Sequence, residues 1–447
     1  MTRRIVVIGA HAAGVEAASA ARKTDRQAEI TIITREEHAG YSRCGLPFVI
    51  GGQIPSFKDL IVFPPSYFQM MKITLKTKTN VVALDTSDRN ISIVSENGKE
   101  DIHYDSLIIA TGASSFTPQI KGKEKQGLLS LRTLEDGAKI DQAVRDGAKS
   151  AVIMGAGLIG LETGIALHER GLRVTIVEAL PQILPLPFDP EMAKMVQEMV
   201  ERKGIKIVTA KRVEEFLGPN QVTSIVAGGA EVKADVFISA FGVRANTELA
   251  VTAGVRLGET KAIKTDARME TTVKGVYAAG DCAEVFGIAT QKPTLPQLGT
   301  VAVRTGKIAG INAAGGYSLF TGALGSAVSK LFETDCGWTG LTEKAAADNS
   351  INVVTGTISS KTKADYYPGA LPIRVKLVVE KESQRIIGAQ IIGGEEVTQR
   401  INAISLAIQR GMTAKDLSKA DTAYAPPVCE TWEPFVLAAE MVLLKLR

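Results

Sequence analysis

A chain of 447 residues, 45% hydrophobic and 22% charged, has ordinary globular composition and exceeds what one core usually supports, so two or three domains are expected. Its formal charge of +4 comes without runs of like charge, which sets aside nucleic acid and an anionic membrane surface as partners. No stretch of about 18 apolar residues occurs, and the opening apolar run Ile5 to Ile8 is too short for a signal segment, so the chain reads as a cytoplasmic protein without a membrane partner.

In chain order, Ile5-Val6-Val7-Ile8 reads as a fully buried strand, followed by the turn Gly9-Ala10-His11-Ala12-Ala13-Gly14 and an alanine-rich helix to about Arg22-Lys23. The segment Tyr41-Ser42-Arg43-Cys44-Gly45-Leu46-Pro47-Phe48 comes next. Pro47 suits a first helical turn, so Cys44 is expected at a helix N-terminus, where the helix dipole would lower its thiol pKa. Leu107-Ile108-Ile109-Ala110-Thr111-Gly112 is a second buried strand with sharp glycine punctuation. Ala151 to Met154, the turn Gly155-Ala156-Gly157-Leu158-Ile159-Gly160, a helix to about His168 and a strand Arg173 to Val177 repeat the first unit. Val276-Tyr277-Ala278-Ala279-Gly280-Asp281 is another strand reaching a ligand edge. Beyond about residue 322 alternating strands, Ile373 to Val379 and Ile386 to Ile392, and a helix Glu396 to Gln409 predict a separate α+β domain.

The chemistry concentrates in these turns. In Gly155-x-Gly157-x-x-Gly160 the first glycine permits the tight turn, the second lets a pyrophosphate approach, and the third lets helix pack on strand. Glu178 ends the following strand, where a carboxylate accepts hydrogen bonds from a ribose and repels a 2′-phosphate, which favours NADH over NADPH. The first turn departs from this pattern: His11 holds the middle glycine position and Thr34 the acid position, with Glu36 nearby. His11 reads either as a tolerated loop residue or as a catalytic one. The four cysteines, Cys44, Cys282, Cys336 and Cys429, form no CxxC pair, so neither a zinc site nor a disulfide framework is expected, and no metal is assigned.

Together these segments resemble the pyridine nucleotide-disulfide oxidoreductases, and within them the single-cysteine branch of coenzyme A disulfide reductases, NADH oxidases and peroxidases, and persulfide reductases. The resemblance implies an α/β fold with two Rossmann-like dinucleotide-binding domains, one for FAD (1–113 and 246–322) and one for NADH (114–245), and a C-terminal α+β dimerisation domain (323–447). FAD would lie along Gly9, Ala10, Gly14, Glu36, Ser42, Thr111, Gly112 and Asp281, and NADH along Gly155, Gly157, Gly160, Glu178 and Gly242. Cys44 would carry the redox chemistry without a second cysteine. Ala364-Asp365-Tyr366-Tyr367-Pro368-Gly369 and Ala423-Tyr424-Ala425-Pro426-Pro427 look like paired tyrosine motifs that reach the partner subunit's active site in a homodimer. Alternation leaves open which of Tyr366 and Tyr367 faces inward. Arg22 and Arg304 match positions that hold coenzyme A phosphates. Cys429 reads as a resolving thiol or as a small hydrophobe, and Cys282 and Cys336 as packing residues. The implied activity is electron flow from NADH through FAD to Cys44, reducing coenzyme A disulfide, coenzyme A persulfide or polysulfide. An NADH oxidase and a flavoprotein redox sensor or electron-transfer protein are the alternatives.

Overall fold

The computed structural model describes residues 2–447. Strand Arg4–Ile8 and its neighbours Glu29–Ile33, Ile73–Lys76, Ser106–Ile109 and Val276–Ala278 form a five-stranded parallel sheet with Arg4–Ile8 in its centre. Ile5 pairs with Ile30 and Ser106, and Val7 with Ile32 and Ile108. These β-branched side chains are buried on both faces, which is why the strand reads as a continuous apolar run. Its turn feeds α1 (Ala12–Thr24), and a chain excursion then forms the short α2 (Leu46–Ile50).

The second unit repeats the design. Ser150–Met154 is the centre of a parallel sheet with Arg173–Val177, Lys206–Val208, Val236–Ser239 and Leu128–Leu129, flanked by α3 (Leu134–Arg145) and α4 (Leu158–Glu169). The chain crosses into this unit and back through an antiparallel ladder of Ala113–Ser115 with Val243–Ala245. Thr111 and Asn246 lock it: the Thr111 hydroxyl donates to the Asn246 carbonyl at 2.7 Å, and the Asn246 amide returns a bond to the Thr111 carbonyl at 2.9 Å.

After the return, α5 (Gly299–Ala313) packs along α1. The approach is backbone on backbone: a Cβ on Gly306 would stand 2.2 Å from the Ala13 carbonyl oxygen, and one on Gly310 2.0 Å from that of Ala17. The remaining chain builds a five-stranded antiparallel sheet, in the order Ala327–Leu331, Thr334–Gly340, Ile386–Gly393, Pro372–Glu380, Val353–Lys361. Ile373, Val375, Leu377 and Val379 alternate onto one face and pack against α6 (Val397–Gln409) and α7 (Pro434–Leu446). Lys376 points the other way. It is 1% exposed and pairs with Asp189 at 2.8 Å and with Glu191 and Glu343, tying this sheet to the start of helix Pro190–Arg202 in the second unit. Among the described residues no helix is long and apolar enough to cross a membrane.

Candidate active site

Both glycine turns have the geometry that a dinucleotide pyrophosphate needs. Gly155 takes φ +113°, and a side chain there would meet the Ala240 carbonyl oxygen at 2.3 Å, while one on Gly160 would meet the Gly155 oxygen at 2.0 Å. Gly157 faces open space and begins α4 without a side-chain cap, so the first-turn N–H groups remain available to an anion. Glu178 stands at the end of its strand, but its two oxygens already accept the N–H groups of Ala156 at 2.8 Å and Leu180 at 2.9 Å. Its carboxylate therefore braces the turn, and its remaining lone pairs are what a ribose could use. Gly242, at φ +113°, accepts the Phe116 N–H through its carbonyl and shapes the crossover rather than the turn.

The first turn repeats this: Gly9 takes φ +115° and a Cβ on Gly14 would meet the Gly9 oxygen at 1.8 Å. His11 turns away from the turn and rests edge-on against Tyr41, with Nε2 3.1 Å from Glu36 Oε1. Glu36 also accepts the Tyr41 hydroxyl and the Arg43 guanidinium, each at 2.5 Å. Burial acts to raise the Glu36 carboxyl, yet these partners outweigh it and hold the group well below the usual range. Burial lowers the His11 imidazole, against the pull of its Glu36 partner.

At the C-terminal ends of the central strands the first sheet opens into a cavity of about 920 Å³, lined by Gly9, Ala10, Glu36, Ser42, Cys44, Thr111, Gly112, Asp281 and their neighbours. This is where α/β sheets bind ligands, and the size suits a large cofactor. The glycine cradle, the free N–H groups of α1 and the polar wall fit an FAD. Cys44 is open to this cavity, in a 3₁₀ turn just before α2. The expectation of a lowered thiol pKa is corrected here. Desolvation by the cavity wall pushes the thiol up, Glu162 and Asp281 add to the effect, and Arg132 opposes it. A helix of five residues carries too little dipole to reverse this.

Three groups, two of them acting on Cys44 and one on the helix that follows it, escaped the sequence reading. Arg132 binds Asp281 at 2.7 Å and the Ala113 carbonyl at 3.1 Å, placing a cation in the cavity wall. Glu162 of α4 accepts the hydroxyl of Ser329, from the third domain, at 2.7 Å, and burial pushes its carboxyl up. An acid in an otherwise apolar helix face, two residues after Gly160, was the available signal. Arg170 donates from Nη1 to the Ile50 carbonyl at 2.7 Å and to Asp141 at 3.0 Å, clamping the end of α2 to α3 and α4. Leu46, Val49 and Ile50 belong to the core of the second unit, with Gly137 leaving room for Leu46 and Phe57.

The tyrosines lie elsewhere. None of Tyr366, Tyr367 and Tyr424 lines the cavity of its own subunit. Tyr366 is 75% exposed and its hydroxyl meets that of Tyr424 at 3.0 Å, a bond that pushes the Tyr366 phenol up; Tyr367 is the more covered of the adjacent pair. Cys429 shares the Tyr424 loop, its thiol donating to the Ala423 carbonyl at 3.2 Å. Cys282 and Cys336 are fully buried. Arg304 stays exposed, stacked 5.0 Å over Phe320. The Arg22 guanidinium donates to the carbonyls of Met71, Lys72, Asp25 and Arg26, so it fastens the end of α1 to the loop at 71–72.

Comparison with known proteins agrees with this arrangement. The family described as pyridine nucleotide-disulphide oxidoreductase matches residues 3–306, and its dimerisation domain matches residues 327–435. The chain is 41% identical to an NADH oxidase of Methanocaldococcus jannaschii over 99% of both chains. It is 34% identical to an NAD(P)H sulfur oxidoreductase (CoA-dependent) of Pyrococcus furiosus, covering 98% of this chain and 99% of that protein. Among solved structures it is similar to an NAD-dependent persulfide reductase from A. fulgidus, with a TM-score of 0.96 and 37% identity, covering 99% of this chain and 83% of that one.

Proposed function

Because the chain belongs to the pyridine nucleotide-disulphide oxidoreductases, and is an FAD- and NAD(P)H-dependent oxidoreductase, we propose that it uses NADH to reduce coenzyme A disulfide, coenzyme A persulfide or polysulfide through Cys44 in a homodimer. The observation that carries the reading is Cys44 itself, a thiol open to the cavity with no second cysteine beside it. Bound FAD would accept hydride from NADH and supply the electron pair. Everything else falls to the chain. Gly9 to Gly14 would hold the FAD pyrophosphate, with Glu36, Ser42, Thr111, Gly112 and Asp281 along the rest of the cofactor. Gly155 to Gly160 and Glu178 would hold NADH.

In the chemical step the Cys44 thiolate attacks a sulfur of the substrate, forming a Cys44 mixed disulfide while the second sulfur departs as thiolate or hydrosulfide. Two electrons supplied by bound FAD would then cleave the Cys44 adduct, returning the Cys44 thiolate and releasing coenzyme A thiolate, or hydrosulfide where the substrate was a polysulfide. Arg132 stabilises the sulfur anion against the desolvation that works the other way. Tyr366 and Tyr424, reaching across from the partner, would give the departing sulfur its proton. Arg22 and Arg304 are the candidates for the coenzyme A phosphates, Arg304 being the more exposed of the two.

The test is Cys44→Ser. The variant should still have its flavin bleached by NADH and should lose disulfide turnover; turnover at the parent rate sinks the scheme. A second reading, NADH oxidase, is favoured by the name of the Methanocaldococcus jannaschii relative. It requires oxygen uptake that persists in Cys44→Ser.

A further inference from the structure

The exposed tyrosines ride on two loops, residues 363–370 and 422–432, which have few apolar anchors: Tyr366, Val428 and Trp432 are each well over half exposed. Their direction must therefore be set at their roots. The first loop is closed by Thr362 N–H donating to the Leu371 carbonyl at 2.8 Å and Leu371 N–H donating to the Thr362 hydroxyl at 3.1 Å. The second ends at Glu433, immediately before α7. Between the roots sits Arg400 of α6, 5% exposed. Its Nε and Nη2 donate to the two Glu433 oxygens, the Nη2 bond at 3.3 Å, and Nη2 also reaches the Thr362 carbonyl at 3.4 Å. At the tips the loops meet through the Tyr366–Tyr424 bond and through Asp365 N–H donating to Glu430 at 3.1 Å.

Buried ion pairs contribute little net stability compared with well-packed apolar residues of the same volume, and Arg400 leaves Nη1 buried without an acceptor, a further cost. What the planar fork does supply is direction: two acceptors on separate loops are held at fixed angles by one rigid group, which an ammonium cannot reproduce. We propose that Arg400 is a positioning residue that locks both loops to α6, so that Tyr366 and Tyr424 present their hydroxyls as one pair to the sulfur leaving the partner's active site. The inference rests on the role given to the tyrosines above.

The experiment uses the intact FAD-loaded protein with Trp338→Phe as parent, which leaves Trp432, on the second loop, as the single tryptophan. Arg400→Lys should lower kcat for coenzyme A disulfide roughly 10–100-fold, the range that misplacement of a reacting group by about 1 Å produces, and should make Trp432 more accessible to acrylamide. Bleaching of the flavin by NADH should stay at the parent rate. Combined with Tyr366→Phe and Tyr424→Phe, the loss should not add. Additive losses, or parent turnover with unchanged Trp432 quenching, overturn the inference. If the tyrosine variants turn over disulfide at the parent rate, it is the tyrosine role that fails; the clamp is then judged by Trp432, and unchanged quenching overturns it. Should Arg400→Lys not fold, Glu433→Gln, which keeps the shape and removes the charge, carries the same readouts.

Discussion

The packing of α5 on α1 gives a sharp expectation for Gly306→Ala. The added Cβ would sit 2.2 Å from the Ala13 carbonyl oxygen and 2.9 Å from its carbonyl carbon and Cα. Ordinary contact begins near ~3.5 Å, so the helices must part by about 1 Å along this seam. No rotamer relieves a clash of this kind, because both sides are backbone. Overpacking of this sort costs about 1–3 kcal/mol, and the better helix propensity of alanine returns at most about 1 kcal/mol. The net expectation is a loss of ~1–2 kcal/mol. Since α1 begins at the Gly9 to Gly14 turn, the displacement also moves the wall of the cofactor cavity, so FAD should dissociate more readily. Urea titration followed by flavin fluorescence measures both, with Lys307→Ala on the exposed face of the same helix as a control expected to change little. A midpoint for Gly306→Ala equal to that of the control, with FAD retained, would refute the close approach of the two backbones.

Three other perturbations read different parts of the molecule. Arg132→Met removes the cation that opposes desolvation of Cys44, so the pH at which iodoacetamide begins to modify Cys44 rapidly should move further up; an unchanged or lower inflection contradicts the assigned electrostatics. Burial alone would lower the Lys376 ammonium, but its bonds to Asp189, Glu191 and Glu343 raise it. The stability this tie contributes is therefore complete below the unfolded lysine pKa and disappears only as pH rises through the higher folded value. Lys376→Met, which leaves Asp189 buried without its cation, should cost about 3–5 kcal/mol near neutral pH, measured by denaturant melts, and a variant as stable as the parent would count against the tie. Glu178→Ala should raise the KM for NADH roughly tenfold, equivalent to about 1.4 kcal/mol, and narrow any preference over NADPH; steady-state kinetics with both nucleotides would expose an unaltered preference.

The elements legible in the sequence are those set by local rules. Ile5 to Ile8 and Ala151 to Met154 are buried β-branched runs followed by glycines whose positive φ the turn requires, and Arg173 to Val177 is found with the bounds expected. The family resemblance and the fold class followed from them. The antiparallel hairpins Asn80–His103 and Val213–Lys233 carried no comparable signal, being short and half-exposed. Contacts across long sequence distances were also invisible. Arg132 has no neighbouring motif to announce that it meets Asp281, 149 residues on. The carbonyl contacts of Arg22 were invisible too, because a basic residue in the last turn of a helix looks the same whether it serves a phosphate or nearby carbonyls. The raised thiol of Cys44 was not legible because cavity walls and helix length are properties of the folded chain: the walls desolvate the thiolate, and a five-residue helix offsets little of that.

The seating of α2 has a mechanical consequence. Cys44 is threaded by the chain from the first sheet, yet the helix that follows it is buried in the core of the second unit and pinned there by Arg170. Any rotation of the nucleotide-binding unit about the Thr111–Asn246 ladder would therefore carry the sulfur with it, and the distance from thiol to nicotinamide site would be conserved while the distance from thiol to the first sheet changed. Opening the two units against each other would therefore strain the chain that leads into Cys44 as well as the Arg132–Asp281 bond that spans them.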